Sequence, residues 1–221
     1  MDKRVASCAE AVRVVKDGAT VMIGGFGTSG IPFGLIDALA VQGTRGLTVI
    51  SNNAGAGEEG IAKLLREGQV AKVVCSYPRT PGSVWFERRY ERGEVELEVV
   101  AQGTLAERIR AAGAGLGGFL TPTGYGTLLA DGKETREIDG RGYVLEMPLH
   151  ADIALVRAEA GDPWGNLRYR ATAQNFNPAM AMAGGQTIAE VRRLSDDPLP
   201  PGSIHTPGIF VQAVTRYEVR P

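Results

Sequence analysis

Asp17-Gly18-Ala19-Thr20-Val21-Met22-Ile23-Gly24-Gly25-Phe26-Gly27-Thr28-Ser29-Gly30-Ile31-Pro32 is the stretch on which the fold turns. Thr20–Ile23 is apolar or β-branched throughout and reads as a short buried strand. Four glycines then fall within seven positions, Gly24 to Gly30. Pro32 sits near the first turn of a helix expected over Ile31–Ala40, where a missing N–H costs little. Strand, glycine-rich turn and helix together make the first half of a βαβ unit. With no side chains in the way, the turn's backbone can approach a ligand closely.

The same alternation continues on both sides. Ala6–Val15 has helical spacing and is stopped by Asp17-Gly18. Leu47–Ile50 is a second strand, Glu58–Arg66 a helix, Val70–Cys75 a third strand, Gly82–Tyr90 a helix and Val95–Val100 a fourth strand. Thr104–Ala112 is expected to be helical, with Thr104 as cap and Glu107 completing a capping box. Lys133–Ile138 and Gly142–Met147 flank Asp139-Gly140, a hairpin signature. Further strands are expected at Ile153–Arg157, Leu167–Arg170, Thr187–Leu194 and Ile209–Val214, with a short helix at Asn177–Ala183. The expected fold is α/β, a mainly parallel sheet flanked by helices, with an irregular β-rich second half. No repeat or linker interrupts the chain, so residues 1–221 are expected to form a single domain.

Bulk properties narrow the function. The chain has 221 residues, 43% hydrophobic and 22% charged, with a formal net charge of −1. That length supports one large core, and the charge offers no field for nucleic acid. Glu87-Arg88-Arg89-Tyr90-Glu91-Arg92 interleaves both signs, as a solvated helix face does. No apolar run is long enough for a membrane span, and the start of the chain lacks a signal-peptide core, so the cytoplasm is the expected compartment. Cys8 and Cys75 lie far apart and form no metal-binding spacing; buried reduced thiols are the simplest reading. No metal is expected.

Candidate site residues gather in the turns after the first, second and fourth strands. Gly25-Phe26-Gly27-Thr28-Ser29-Gly30 matches the dinucleotide pattern G-x-G-x-x-G, but that pattern needs an acid at the end of the next strand. Here that strand runs into Ser51-Asn52-Asn53. A tight turn, or a loop whose N–H groups face an anion or carboxylate at a helix N-terminus, remain as readings of Gly24, Gly25, Phe26, Gly27 and Gly30. Asn52 and Asn53 can donate to a substrate carbonyl or cap local backbone. Glu58 and Glu59, at the start of an expected helix, suit its dipole better than a nucleophilic role. Gln102, just past the fourth strand, is a neutral donor suited to an oxyanion, or an exposed turn residue. His150 and His205 stand beside prolines with no HExxH and no serine elbow. The residues themselves therefore offer binding and positioning groups but no nucleophile with its base.

Taken in order, these segments resemble the A (α) subunit of family I coenzyme A-transferases, the group containing 3-oxoacid CoA-transferase. The resemblance runs through Asp17–Pro32, Ser51–Gly60, Gln102–Arg110, Phe119–Gly124, Gly165–Arg170, Asn175–Pro178 and His205–Val211, nearly the whole chain. Leu120 and Gly117-Gly118 depart from the family pattern, which bears on the acid accepted more than on the reaction. The resemblance implies a CoA-transferase/NagB-like fold and a cleft shared with a β subunit. It implies that the covalent glutamate lies in the β subunit's Ser-Glu-Asn-Gly segment, which this chain lacks. It further implies an α2β2 assembly, CoA and acyl-CoA as substrates with no permanent cofactor, and ping-pong transfer of the succinyl-CoA:acetoacetate type. Under it Gln102 stabilises the oxyanion, while Asn52, Asn53 and the Gly24–Gly30 loop bind substrate. A 3-oxoadipate or acetate enzyme is the alternative within the class, and a non-catalytic ligand sensor is the alternative outside it.

Overall fold

The computed structural model describes residues 2–217. Its main sheet contains β1 (Thr20–Ile23), β2 (Leu47–Ile50), β3 (Val70–Cys75), β4 (Glu96–Val99), β8 (Ala151–Gly161), β10 (Gly184–Leu194) and β11 (Ala213–Arg216). The strand order is β11-β10-β8-β1-β2-β3-β4, with every neighbouring pair parallel. The two-residue β9 (Leu167–Arg168) pairs antiparallel to β8. A second, antiparallel sheet holds β5 (Phe119–Thr121), β6 (Thr135–Ile138) and β7 (Arg141–Glu146) in the order β5-β7-β6.

Alternation along each strand explains the layers. Val21 and Ile23 of β1 join one core with Leu47, Val49, Val73 and Cys75. Helices α1 (Cys8–Ala11), α2 (Phe33–Gln42), α3 (Ile61–Arg66) and α4 (Val84–Glu91) cover that face through Ala11, Leu35, Ile36, Leu39, Leu64, Leu65 and Phe86. Met22, Ile50 and Val74 point the other way. There they meet Leu105, Ile109 and Ala112 of α5 (Gln102–Gly113), and Met180 and Ala183 of α6 (Asn177–Ala183). A parallel sheet covered on both faces needs apolar residues at successive positions, which is why β1 reads as an unbroken apolar run.

The first three expected strands keep their bounds. The Asp139-Gly140 turn is a hairpin with φ of 51° and 73° at its two central residues, the left-handed pair that a two-residue loop requires. Several helices differ. The first shrinks to Cys8–Ala11 followed by a 3₁₀ turn, Val12–Val14. The second starts at Phe33, after Pro32, and ends at Gly43, whose φ of 77° supplies a left-handed cap. The fifth starts at Gln102, so Thr104 lies buried inside it and caps nothing; Glu107 instead pairs with Arg110 at 2.6 Å. The expected strand Ile209–Val214 resolves into a 3₁₀ turn, Gly208–Phe210, and β11. Strands β8 and β10 run 11 residues each: Ala151, Ala158 and Ala160 carry β8 past its expected apolar stretch, and Gly184-Gly185-Gln186 lengthens β10 at its start through pairing with β8.

Candidate active site

The turns after β1, β2, β3 and β4 open on one edge of the sheet, the edge at which parallel α/β sheets present ligand-binding groups. Ser51 Oγ donates to the Ile23 carbonyl at 2.9 Å, tying the β2 turn to β1. The Asn52 carbonyl accepts from Ser76 N and Tyr77 N at 3.2 and 3.1 Å, tying the same turn to β3. The buried Asn52 side chain accepts at Oδ1 from Gln102 Nε2 at 2.7 Å. The two amides, 50 residues apart in sequence, thus form one unit across the sheet edge. An amide nitrogen carries two hydrogens; this contact uses one of them.

Asn53 has a different role. Its Oδ1 accepts from Gly55 N at 2.8 Å, closing a local turn, and it lines a cleft of about 390 Å³. The cleft lies between the two glycine-rich turns, walled by Gly27, Thr28, Ile31, Phe33, Thr80 and Pro81. Gln102 does not line this cleft. Glu58 and Glu59 do, ahead of a helix that starts only at Ile61. Glu58 accepts from Trp85 Nε1 and from Arg66 Nη1, both at 3.0 Å, so both its oxygens are engaged.

Within the first glycine-rich turn the residues divide by what they face. Phe26 and Ser29 exchange backbone hydrogen bonds at 2.9 and 3.0 Å, making a tight tip with Gly27 at its corner. Phe26 is 49% exposed, and a Cβ at Gly27 would meet open space. Gly24, Gly25 and Gly30 face inward. A Cβ on Gly24 would collide with the Asn177 amide, one on Gly25 with Ile31, and one on Gly30 with the Ala173 carbonyl. Asn177, fully buried at the start of α6, donates from Nδ2 to the carbonyls of Gly30 and Ala173 at 3.0 and 2.9 Å. Its Oδ1 accepts from Arg157 N at 3.0 Å.

A carboxylate does sit at the N-terminus of α2, and it belongs to the chain itself. Glu190 Oε2 accepts from Leu35 N at 2.9 Å, and the carboxylate also meets Gly34 N. Glu190 has no solvent exposure, and burial pushes its carboxyl up to about 7 against the opposing pull of those N–H groups and of Arg157. Arg157 Nε stands 3.8 Å from Glu190 Oε1, and Arg157 Nη1 reaches the Ile31 carbonyl at 3.3 Å. Asn177, Arg157 and Glu190 therefore hold the exit of the loop from strands and a helix distant in sequence. Spacing carries no signal for that kind of partner.

The remaining candidates have other surroundings. His205 Nδ1 accepts from Tyr169 N at 3.0 Å and its ring stacks on Tyr169. His150 is exposed between β7 and β8. Cys75 is buried, and burial pushes its thiol up to about 12, too high for a thiolate nucleophile at neutral pH. Among the described residues no three His, Cys, Asp or Glu side chains gather as a metal site. Among the same residues no helix is long and apolar enough to cross a membrane.

Fold and site together define an α/β scaffold with neutral amide donors at its ligand edge. The family follows from sequence comparison. Residues 5–216 match the family model described as Coenzyme A transferase. The chain is 60% identical over 215 residues to the A (α) subunit of 3-oxoadipate CoA-transferase from Pseudomonas putida, covering 97% of this chain and 93% of that one. It is 53% identical over 211 residues to the corresponding subunit of succinyl-CoA:3-ketoacid coenzyme A transferase from Xanthomonas campestris pv. campestris, covering 95% and 86%. An acyl-CoA transferase of E. coli O157:H7, solved as a thioester complex with CoA, superposes with a TM-score of 0.84 at 26% identity. That match takes in 98% of this chain and 47% of the longer one. The chain belongs to the coenzyme A transferase family.

Proposed function

We propose that this chain, acting as a single domain, is the α subunit of a cytoplasmic 3-oxoacid CoA-transferase. A β subunit completes it, in an α2β2 assembly, and supplies the covalent glutamate. The observation that carries this reading is the Gln102–Asn52 amide pair at the ligand edge. Two carboxylates near the glycine-rich turns are otherwise committed. Glu58 is engaged by two donors and Glu190 is sealed in the core, which supports a nucleophile from outside.

The partner's glutamate attacks the thioester carbonyl of an acyl-CoA. The C–S bond breaks, giving an acyl-glutamyl anhydride and CoA thiolate. The thiolate attacks the glutamyl carbonyl, freeing the first acid and leaving a glutamyl-CoA thioester. The carboxylate of a second acid attacks that thioester and releases the thiolate, which then takes the new acyl group and restores the glutamate. Dividing the exchange this way lowers each barrier. Every step passes through a tetrahedral oxyanion, and the second Nε2 hydrogen of Gln102 serves that oxygen while Asn52 fixes the amide plane. Asn53 and Gly27 border the substrate cleft, with Phe26 exposed at the neighbouring tip of the turn; Gly24, Gly25 and Gly30 let the loop pack closely enough to form it. CoA and its thioesters are substrates, and no resident cofactor takes part.

The identity to a 3-oxoadipate enzyme favours that dicarboxylic acid as acceptor, ahead of the acetoacetate that the sequence resemblance alone puts first. The test is to co-purify the chain with its second subunit, add acyl-CoA, and locate the covalent adduct by peptide mass spectrometry. The adduct belongs on the second subunit. An adduct on a carboxylate of this chain, or full activity of this chain alone, overturns the reading.

A further inference from the structure

Five arginines converge where β8, β9 and β10 end, beside the tip of the first glycine-rich turn. Arg157, Arg170 and Arg192 line a depression of about 380 Å³ that includes Thr28 and Gly30. Arg168, Arg170 and Arg193 line an adjoining one of about 530 Å³. Glu159 is the one carboxylate lining either; it pairs with Arg192 at 3.5 Å and Arg193 at 3.8 Å. Arg157 faces the buried Glu190. Arg168 and Arg170 have no carboxylate partner among the described residues. A chain of net charge −1 thus concentrates an excess of positive charge on one face.

That face is fixed to the site. Residues 171–175 hold Ala171 at φ 47° and Asn175 at φ 21°, conformations that need support from their surroundings. Asn175 Nδ2 donates to the carbonyls of Ser29 and Thr172 at 3.1 and 2.7 Å, and Ser29 Oγ lies 3.2 Å from Thr172 Oγ1. The arginine-bearing segment is therefore latched onto the glycine-rich tip.

Two features favour a protein surface over a small anion. Arg192 and Arg193 are more than half exposed, which leaves their charge largely screened until something covers it. All five cations are arginine and none is lysine, the bias seen at protein interfaces.

We propose that this arginine face is the docking surface for an acidic segment of the second subunit, so that assembly and closure over the glycine-rich turn are one event. The proposal rests on the two-subunit reading given above. It assigns Arg168 and Arg170, the two without carboxylate partners, as the main contacts, with Arg192 and Arg193 turning from Glu159 toward the partner. Opposed charges of this kind set encounter rate and register.

The experiment uses the co-expressed two-subunit enzyme, separated and recombined. Affinity is measured by calorimetry from about 50 to about 500 mM NaCl, a range over which exposed charges become screened. Wild type is compared with the double variant R168E/R170E and with the control R13E, at the exposed 3₁₀ turn after α1. Circular dichroism checks that each variant is folded. The wild type is expected to weaken with salt, R168E/R170E to bind at least about tenfold more weakly with a flattened salt dependence, and R13E to match wild type. Unchanged affinity and salt dependence in R168E/R170E overturn the proposal. Unchanged assembly with a raised KM for the CoA thioester also overturns it, and assigns the arginines to the substrate's phosphates. Failure of the wild-type chain to bind any second subunit instead sinks the two-subunit reading itself.

Discussion

Replacing Glu190 by glutamine should flatten the dependence of this protein's stability on pH. The carboxyl rises from its ordinary 4.5 to about 7 because burial in the core disfavours its charge. In the unfolded chain it titrates near 4.5. Between those values the native state keeps a proton that the unfolded state has released, so stability falls as pH rises through the window. The stabilisation is complete below 4.5 and lost as pH climbs past about 7. At ~1.4 kcal/mol for each tenfold in proton affinity, the gap amounts to about 3 kcal/mol. Glutamine keeps an oxygen for the Leu35 N–H, 2.9 Å from the present carboxylate, and cannot titrate. Equilibrium urea unfolding at four pH values between about 5 and about 8 gives the two profiles. The wild type should lose about 2–3 kcal/mol more than E190Q across that range, a difference in which other titrating groups cancel. Parallel profiles, agreeing within ~0.5 kcal/mol, would refute the account of Glu190 as a buried carboxyl at a helix N-terminus.

Three further outcomes follow from the geometry. Gln102→Ala in the assembled enzyme should lower kcat by about 10²–10³ with little change in the unfolding midpoint, since one oxyanion donor is worth that much; unaltered kcat removes Gln102 from the chemistry. Gly24→Ala should destabilise by about 1–3 kcal/mol through its collision with Asn177. In an Asn177→Ala background the same change should cost under about 1 kcal/mol, and equal penalties in both backgrounds in a double-mutant cycle would contradict the contact. Asp162 is fully buried and accepts from Trp164 N, Asn166 N, Asn166 Nδ2 and Leu199 N at 2.8 to 3.0 Å. Asp162→Ala should therefore cost about 3 kcal/mol or more, because several donors lose their acceptor in a buried setting; a thermal midpoint within about a degree of wild type would show that the loop is not organised around it.

Elements whose causes are local were legible in the amino-acid order. Thr20–Ile23, Leu47–Ile50 and Val70–Cys75 are short apolar runs between turn residues, and each forms a strand with those ends. Asp139-Gly140 dictates its hairpin because few residues accept two successive left-handed conformations. The ordered series of segments also sufficed to place the chain in its family. Only packing in three dimensions inserted β8 beside β1, joined Gln102 to Asn52, and set Gly24 and Gly30 against Asn177. Packing also put Glu190 at the start of α2 and gathered five arginines beside the glycine-rich tip. The cause is that hydrophobic periodicity tells which side of an element is buried and is silent on what it is buried against. A polar side chain reveals its partner only when the backbone has brought the two within about 3 Å.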